Sequence, residues 1–288
     1  MVRAIGCLVG ILLASSVMAE EAEIMFILDA SGSMRAADES GRPKIEEAKQ
    51  VIYNAVSGLP SGVTASLATF GHRRTGDCTD LEIKIPPGTK DRDRFFRELE
   101  GITPQFNGRT PLAATIKEVG KALRTYEGVG VIVVISDGHD TCEGDPCSQT
   151  KFLLQTKNFG FKLHAVGYTV DDKQKEQLEC MAKVGGGKYF GADSARELEE
   201  IVEKQITLGR VMVQKPSNIK VKGWELIADG EAFASIAVRG GVSSQGMLWA
   251  EFPVPFGYYT IKLYIDGGSS AIERRIFVEG GRITKVKL

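Results

Sequence analysis

Three short oxygen-bearing side chains, Asp29, Ser31 and Ser33, stand at alternate positions in EIMFILDASGSM, where an apolar run stops. A tight turn would use these residue types for local hydrogen bonds. Oxygens aimed at one point would instead suit a hard divalent cation, which takes carboxylate, hydroxyl and water ligands. Two further strings offer the same chemistry: NGRTPL carries Thr110 into a predicted helix with Pro111 in its first turn, and ISDGHD carries Asp137 off a second very apolar run. Asp29, Ser31, Ser33, Thr110 and Asp137 together supply two carboxylates and three hydroxyls, with no nitrogen or sulfur. Mg²⁺ fits such a set, because it prefers an octahedral oxygen shell and keeps several waters; Mn²⁺ and Ca²⁺ are the alternatives. So lightly charged a cage leaves a bound ion able to accept an anionic oxygen from outside. An Asp or Glu carboxylate of a partner protein is the natural donor. Ser33 and Thr110 as mere helix caps form the competing explanation, which leaves Asp29 at a strand end with no partner.

Convergence of these residues requires a particular scaffold. EIMFILDA, VTASLATFG, LEIKIP, GVIVVISDG, FKLHAVGYT and GKYFGA read as strands, several of them apolar without alternation. Between them lie helical patterns. KIEEAKQVIYNAVSGL sets Ile45, Ala48, Val51, Ile52 and Val56 at helical spacing, and DRFFRELEGI, TPLAATIKEVGKALRTY, SQTKFLLQTKNF and DDKQKEQLECMAKV follow. SARELEEIVEKQI closes the series from an Asp193/Ser194 cap. Continuous apolar strands separated by helices predict an α/β fold: a doubly wound, mostly parallel six-stranded sheet covered on both faces, over residues 22–207. In such sheets ligands bind outside the carboxyl ends of the strands, where strand order reverses. The loops carrying Asp29, Thr110 and Asp137 should meet at that edge. From residue 209 to 288 the helical stretches stop, and GWELIADG, FASIAVRGG, MLWAEFPV, YYTIKLYIDG and IERRIFVEGGRITKVKL predict a second, smaller all-β sandwich domain.

The 288 residues carry a formal net charge of -1, which argues against nucleic acid as the main partner. Arg3, the apolar AIGCLVGILLASSV and the small-residue string VMA make residues 1–19 a predicted signal peptide, too short an apolar run for a membrane span. The mature chain should be periplasmic or secreted, with no membrane span after cleavage. Export leaves Cys78, Cys142, Cys147 and Cys180, an even count suited to two disulfides in an oxidising compartment. Cys142 and Cys147 are close enough to clip one loop, which would leave Cys78 with Cys180. Zinc is the competing use, but paired CxxC units are lacking and His72, His139 and His164 are dispersed.

DASGS, RT before PL, and SDG at the end of an apolar strand resemble the metal-ion-dependent adhesion site of von Willebrand factor type A domains. The resemblance spans the α/β region in the same order. It implies Asp29, Ser31 and Ser33 as D-x-S-x-S ligands, Thr110 as the ligand threonine and Asp137 as a second, often water-mediated, aspartate. LEIKIP fits the family's short antiparallel edge strand. FGHRRTGDC, SDGHDTCEGDPC and LECMAKVGGGKYF resemble exported bacterial members, and VPFGYYTIKLYIDG is similar to segments of transthyretin-like or carboxypeptidase-regulatory-like sandwiches. Arg109 departs from the family, many of whose members have glycine before the threonine. The family topology sets Cys78 near the site edge and Cys180 well down a helix, which leaves pairings of Cys78 with Cys142 or Cys147 open. The function implied is a non-enzymatic, metal-dependent protein-binding module for adhesion or scaffolding. The alternative is a metal-dependent hydrolase or phosphatase using the same site, with Asp29 as nucleophile. A phosphatase of that kind would want a second aspartate where Ser31 stands, and a serine hydrolase would want a G-x-S-x-G elbow that DASGSM does not provide.

Overall fold

The apolar run Glu21–Asp29 forms strand β1, whose side chains alternate between two helical layers. Ile24, Phe26 and Leu28 enter one core and Met25 and Ile27 the other, so the run carries no polar face. The computed structural model describes residues 21–287 apart from 40, 61, 127, 156–160, 215–220, 229–230, 237–246, 266–270 and 281. The signal-like segment 1–19 lies outside the described residues.

β1 is joined by β2 (Val63–Phe70), β3 (Leu81–Ile85), β4 (Gly128–Ser136), β5 (Phe161–Tyr168) and β6 (Gly186–Ala192) in one six-stranded sheet. Its order is β3-β2-β1-β4-β5-β6, and every pairing is parallel except that of β3 with β2. Chain order reverses between β1 and β4, the switch point at which such sheets bind ligands. One face is covered by α1 (Lys44–Ser57), α2 (Arg92–Glu100) and α6 (Ala195–Glu200), which continues into a π-helical turn, Ile201–Thr207. On that side Ile45, Ile52, Phe95, Leu99, Leu198 and Val202 pack on the sheet. The opposite face is covered by α3 (Leu112–Leu123), α4 (Pro146–Leu154) and α5 (Asp172–Val184), through Leu112, Ile116, Leu153, Leu178 and Met181.

Beyond the π-helical turn the described residues form seven strands: β7 (Leu208–Gln214), β8 (Val221–Ala228), β9 (Glu231–Ile236), β10 (Met247–Pro255), β11 (Gly257–Ile265), β12 (Ala271–Val278) and β13 (Ile283–Lys287). They form two sheets, β10-β7-β13 and β12-β11-β8-β9. β7 is a strand that the patterning above does not single out: LGRVMVQ follows the preceding helical turn with no Pro or Asp to mark a boundary. IERRIFVEGGRITKVKL, taken above as one segment, is two strands, with the Glu279 carbonyl accepting the Arg282 N–H (3.3 Å) between them. The β unit packs at the amino ends of the large sheet's strands. Phe256 joins the α1-side core, its N–H donates to the Thr207 carbonyl (2.6 Å), and Gly257 abuts Val63 at the start of β2. The carboxyl edge of the large sheet, where Asp29 lies, is thus at the opposite pole from these contacts.

The disulfides differ from the first expectation. Cys78 is bonded to Cys142 and Cys147 to Cys180, each with Cα atoms 5.6 Å apart. Cys142 and Cys147 do not clip their own loop, because Asp145 caps α4 by accepting the Ser148 N–H (3.1 Å) and Pro146 starts that helix, which turns Cys147 toward α5. These bridges consume all four thiols among the described residues, so none of the four is left to ligate zinc.

His164 is buried on β5, stacked against Phe190, and its Nδ1 accepts the Lys188 N–H (3.3 Å). Burial holds its pKa down at about 4, against the opposing charge of Glu279. A base whose folded pKa lies below its unfolded value gives stability that is present above pH ~6.5 and is lost as pH falls toward 4. The loss expected is about 3 kcal/mol across that window. Urea unfolding at several pH values checks it, and His164→Asn, which keeps an acceptor, should flatten this part of the profile. An unchanged slope in the variant would assign the acid sensitivity elsewhere.

Candidate functional site

β1 ends at the fully buried Asp29, and the chain turns at once into a 3₁₀ turn, Gly32–Arg35. Ser31 stands at the start of that turn, but its side chain makes no capping hydrogen bond. Its N–H instead donates to Asp29 Oδ1 (2.8 Å), folding the loop back over the strand end. The Ser31 and Ser33 hydroxyls are 3.1 Å apart, and Ser33 Oγ donates to Asp137 Oδ1 (2.6 Å). Asp137 follows directly on β4, so the β1–β4 pairing brings it beside the Asp29 loop.

Thr110 arrives from a third loop. Gly32 N–H donates to the Gly108 carbonyl (3.1 Å), and Gln105 N–H to the Gly71 carbonyl (3.1 Å). Gly71 has φ +72°, and a Cβ there would lie 2.7 Å from the Arg109 carbonyl and 2.8 Å from Ser31 Cα. Only glycine permits so close an approach of the loops in that conformation. Thr110 is then bracketed by Thr141: its N–H donates to Thr141 Oγ1 (2.9 Å) and its carbonyl accepts the Thr141 N–H (3.1 Å). Thr110 is only 3% exposed, and its hydroxyl makes no hydrogen bond among the described residues. A Cβ placed on Gly138 would sit 3.7 Å from Thr110 Oγ1 and 3.8 Å from Asp29 Oδ2, so the hydroxyl and the carboxylate both lie close to Gly138. All five residues, Asp29, Ser31, Ser33, Thr110 and Asp137, therefore gather at the carboxyl edge. Helix capping does not account for them, since the N-cap of α3 is Pro111, with no side-chain cap bond.

The electrostatics of the cluster are those of an acid pair short of positive charge. Burial, and next the charge of Asp137, raise the Asp29 carboxyl to about 7, although the Ser136 and Ser31 hydrogen bonds oppose the shift. Lys44, at the start of α1, donates to Asp137 Oδ2 (2.9 Å) and is the one cation bonded to either carboxylate among the described residues. Sequence patterning missed Lys44 because it lies on a helix eleven residues past Ser33, outside any motif. It also missed Ser136, whose hydroxyl donates to Asp29 Oδ2 (2.5 Å). The available signal was a lone hydroxyl ending an otherwise apolar strand. Asp140 is a third omission: its carboxylate accepts the Ala113 N–H (2.8 Å) and the Cys142 N–H (2.7 Å), tying the Asp137 loop to α3.

The histidines stand apart. His72 Nε2 lies 3.0 Å from Glu82, His164 belongs to the β5 core, and His139 sits partly exposed just after Asp137. No group of three or more His, Cys, Asp or Glu side chains suited to a metal ion occurs among the described residues. The cluster at Asp29 holds two carboxylates, and its remaining donors are hydroxyls, so it suits a hard cation with retained waters rather than zinc-type nitrogen and sulfur coordination.

A sequence model of the von Willebrand factor type A domain matches residues 24–139. The Bacillus subtilis (strain 168) protein YwmC, described as uncharacterized, is 32% identical over 193 residues, which cover 64% of this chain and 82% of the relative. Among solved structures, the pilus adhesin SpaC from Lactobacillus rhamnosus GG superposes with a TM-score of 0.53 at 14% identity, over 92% of this chain and 44% of that one. Proximal thread matrix protein 1 from the mussel byssus, solved with a zinc-occupied metal-ion-dependent adhesion site, gives a TM-score of 0.51 at 19% identity, over 64% and 44%.

Proposed function

Because this chain belongs to the von Willebrand factor type A family, we propose that it is a non-enzymatic protein-binding module whose Asp29 cluster holds a divalent cation for contact with a partner's carboxylate. The observation that carries this is the meeting of three loops at one sheet edge, where Ser31, Ser33 and Asp137 lie in one hydrogen-bonded series and Thr110 Oγ1 and Asp29 Oδ2 both lie close to Gly138, the Thr110 hydroxyl having no hydrogen bond among the described residues. When bound, Mg²⁺ would supply an electrophilic centre with an open coordination position for an Asp or Glu side chain. Ser31, Ser33 and Thr110 would face it directly, and Asp29 and Asp137 would balance its charge. Ser136 and the Ser31 N–H fix the Asp29 carboxylate, and Asp140 fixes the loop beyond Asp137. The zinc-occupied site of the mussel protein supports divalent-metal binding as the use of such a site.

Residues 22–207 form the binding domain in this proposal and residues 209–288 a separate sandwich that leaves the binding edge clear. Two disulfides support export to an oxidising compartment, periplasmic or extracellular. No helix among the described residues is long and apolar enough to cross a membrane. Against a hydrolase stands the enclosure of Asp29, whose two oxygens are both hydrogen-bonded, while His72 and His164 have their partners elsewhere. The function is tested by capturing partners on immobilised mature protein in magnesium or chelator. Proteins retained only with magnesium, and lost with Asp29→Ala, are expected; retention indifferent to both would refute a metal-bridged contact.

Lys44 sets the affinity for the ion. Its ammonium occupies one oxygen of Asp137 and repels a divalent cation nearby. Lys44→Met is expected to bind Mg²⁺ about tenfold more tightly, a coupling of about 1.4 kcal/mol at the high effective dielectric of a partly solvated site. Calorimetric titration reads the change directly. Weaker binding in the variant would mean that Lys44 holds Asp137 in place rather than competing for it.

A further inference from the structure

Beside the oxygen cluster runs an open cleft of about 510 Å³, whose walls include Ser31, Ser33, Thr110, Phe106 and Arg109. Two of its walls have no assigned work. Phe106 is 68% exposed and belongs to a small set of large apolar side chains left exposed among the described residues, with Tyr53, Phe152 and Ile283. Of these it alone borders the cleft. Its loop is braced: the Phe106 carbonyl accepts the Thr75 hydroxyl (3.0 Å), the Asn107 carbonyl accepts the Gly76 N–H (3.0 Å), and Gly108 is bonded to Gly32. Asn107 turns the chain at φ +57°, in the left-handed region that Asn tolerates. The ring is therefore presented to solvent by fixed backbone, so a contact on it costs little ordering.

Arg109 is the second. It is exposed and makes no ion pair among the described residues. Of the arginines near the same edge, Arg73 pairs with Asp80 and Glu82, Arg74 pairs with Asp77, and Arg35 donates to the Pro104 carbonyl (3.2 Å). A free guanidinium next to a rigid aromatic face, continuous with a site for a carboxylate, is complementary to an acidic chain that also carries an apolar side chain. We propose that this cleft docks an extended acidic peptide segment of a partner protein. One Asp or Glu enters the oxygen cluster, a neighbouring apolar side chain packs on Phe106, and a second carboxylate pairs with Arg109. The proposal rests on the metal-site reading for its central anchor. Single-stranded nucleic acid also uses aromatics beside arginines, but a formal net charge of -1, with Arg73 and Arg74 held in ion pairs, does not supply the basic track that a phosphate backbone needs.

The probe is a displayed library of linear peptides with a fixed central Asp and about three randomised positions on either side. It is panned on the full mature chain with magnesium or chelator, and an oligothymidine is assayed in parallel. Wild-type protein should enrich an aromatic or aliphatic residue and a second acid near the fixed Asp. The resynthesised peptide should bind Phe106→Ser about tenfold more weakly, with the apolar preference erased, and Arg109→Ala more weakly with only the second-acid preference erased. Both positions are exposed, and thermal melts establish that the variants fold. No enrichment, flat preferences around the Asp, an apolar preference that survives Phe106→Ser, or tighter binding of the oligothymidine would each overturn the dock. Enrichment that persists in chelator and in Asp29→Ala would refute the metal reading, while the Phe106 and Arg109 arms would still decide the dock.

Discussion

Magnesium at one hundred times its dissociation constant is expected to stabilise the wild-type chain by about 2.7 kcal/mol, and Asp29→Ala is expected to abolish that response. The magnitude is mass action alone, since an ion that binds only the folded arrangement of loops draws the equilibrium toward it. The specific content lies in Asp29. Burial and the nearby charge of Asp137 raise its carboxyl to about 7, so the metal-free fold favours the proton. For an acid raised in the folded state, the contribution to stability is fully present below the unfolded value of 3.8 and is lost as pH rises through 7. A cation reverses that loss by occupying the space where the two charges repel. The magnesium-induced rise in melting temperature should consequently be larger at pH 8 than at pH 5.5, where proton and metal compete for the same oxygens. Asp29→Asn separates charge from shape. It should melt near or above the wild type without metal and respond to magnesium at neither pH. A full magnesium response in Asp29→Asn would remove the site from consideration.

The α/β scaffold, and with it the meeting of the Asp29, Thr110 and Asp137 loops at one sheet edge, was legible in sequence because it depends on local pattern. β1 and β4 are apolar on both faces since two helical layers cover them, and a buried strand that ends in Asp29 or Asp137 announces its carboxyl edge. Side chains that act across elements were not legible. Lys44 reaches Asp137 from a helix outside any motif, and Ser136 reaches Asp29 across a strand pair, its one local mark being a hydroxyl at the end of an apolar strand. The disulfides show the same limit. Closeness in sequence suggested Cys142 with Cys147, but the direction in which α4 leaves its Asp145 cap decides otherwise. β7 was missed for a related reason: its role as the strand between β10 and β13 is set by distant partners, and LGRVMVQ alone is a weak strand signal.

Removing either disulfide should cost about 4 kcal/mol of stability, yet only one of the two should also weaken the ion site. The bridges close sequence separations of 64 and 33 residues, and chain entropy gives both losses similar size, slightly larger for the longer loop. Their positions differ in consequence. Cys142 follows Thr141, which holds Thr110 by both its hydroxyl and its N–H, and the Cys142 N–H bonds Asp140, the anchor of α3. Cys78 belongs to the loop that Asp80 shapes by accepting the Arg73 and Arg74 N–H groups (2.7 and 2.8 Å). The Cys78–Cys142 bridge thus ties the loop after β2 to the segment that positions Thr110, whereas Cys147–Cys180 joins α4 to α5 without touching a donor. Paired Cys→Ser variants separate the two effects. Urea unfolding should show comparable losses for the pairs. Magnesium titration should show affinity reduced about tenfold for Cys78→Ser/Cys142→Ser, and near wild type for Cys147→Ser/Cys180→Ser. Equal affinity in the two variants would mean that the Thr141 and Asp140 hydrogen bonds hold Thr110 without covalent help. The bridge beside the site would then be structural in the same sense as the one between the helices.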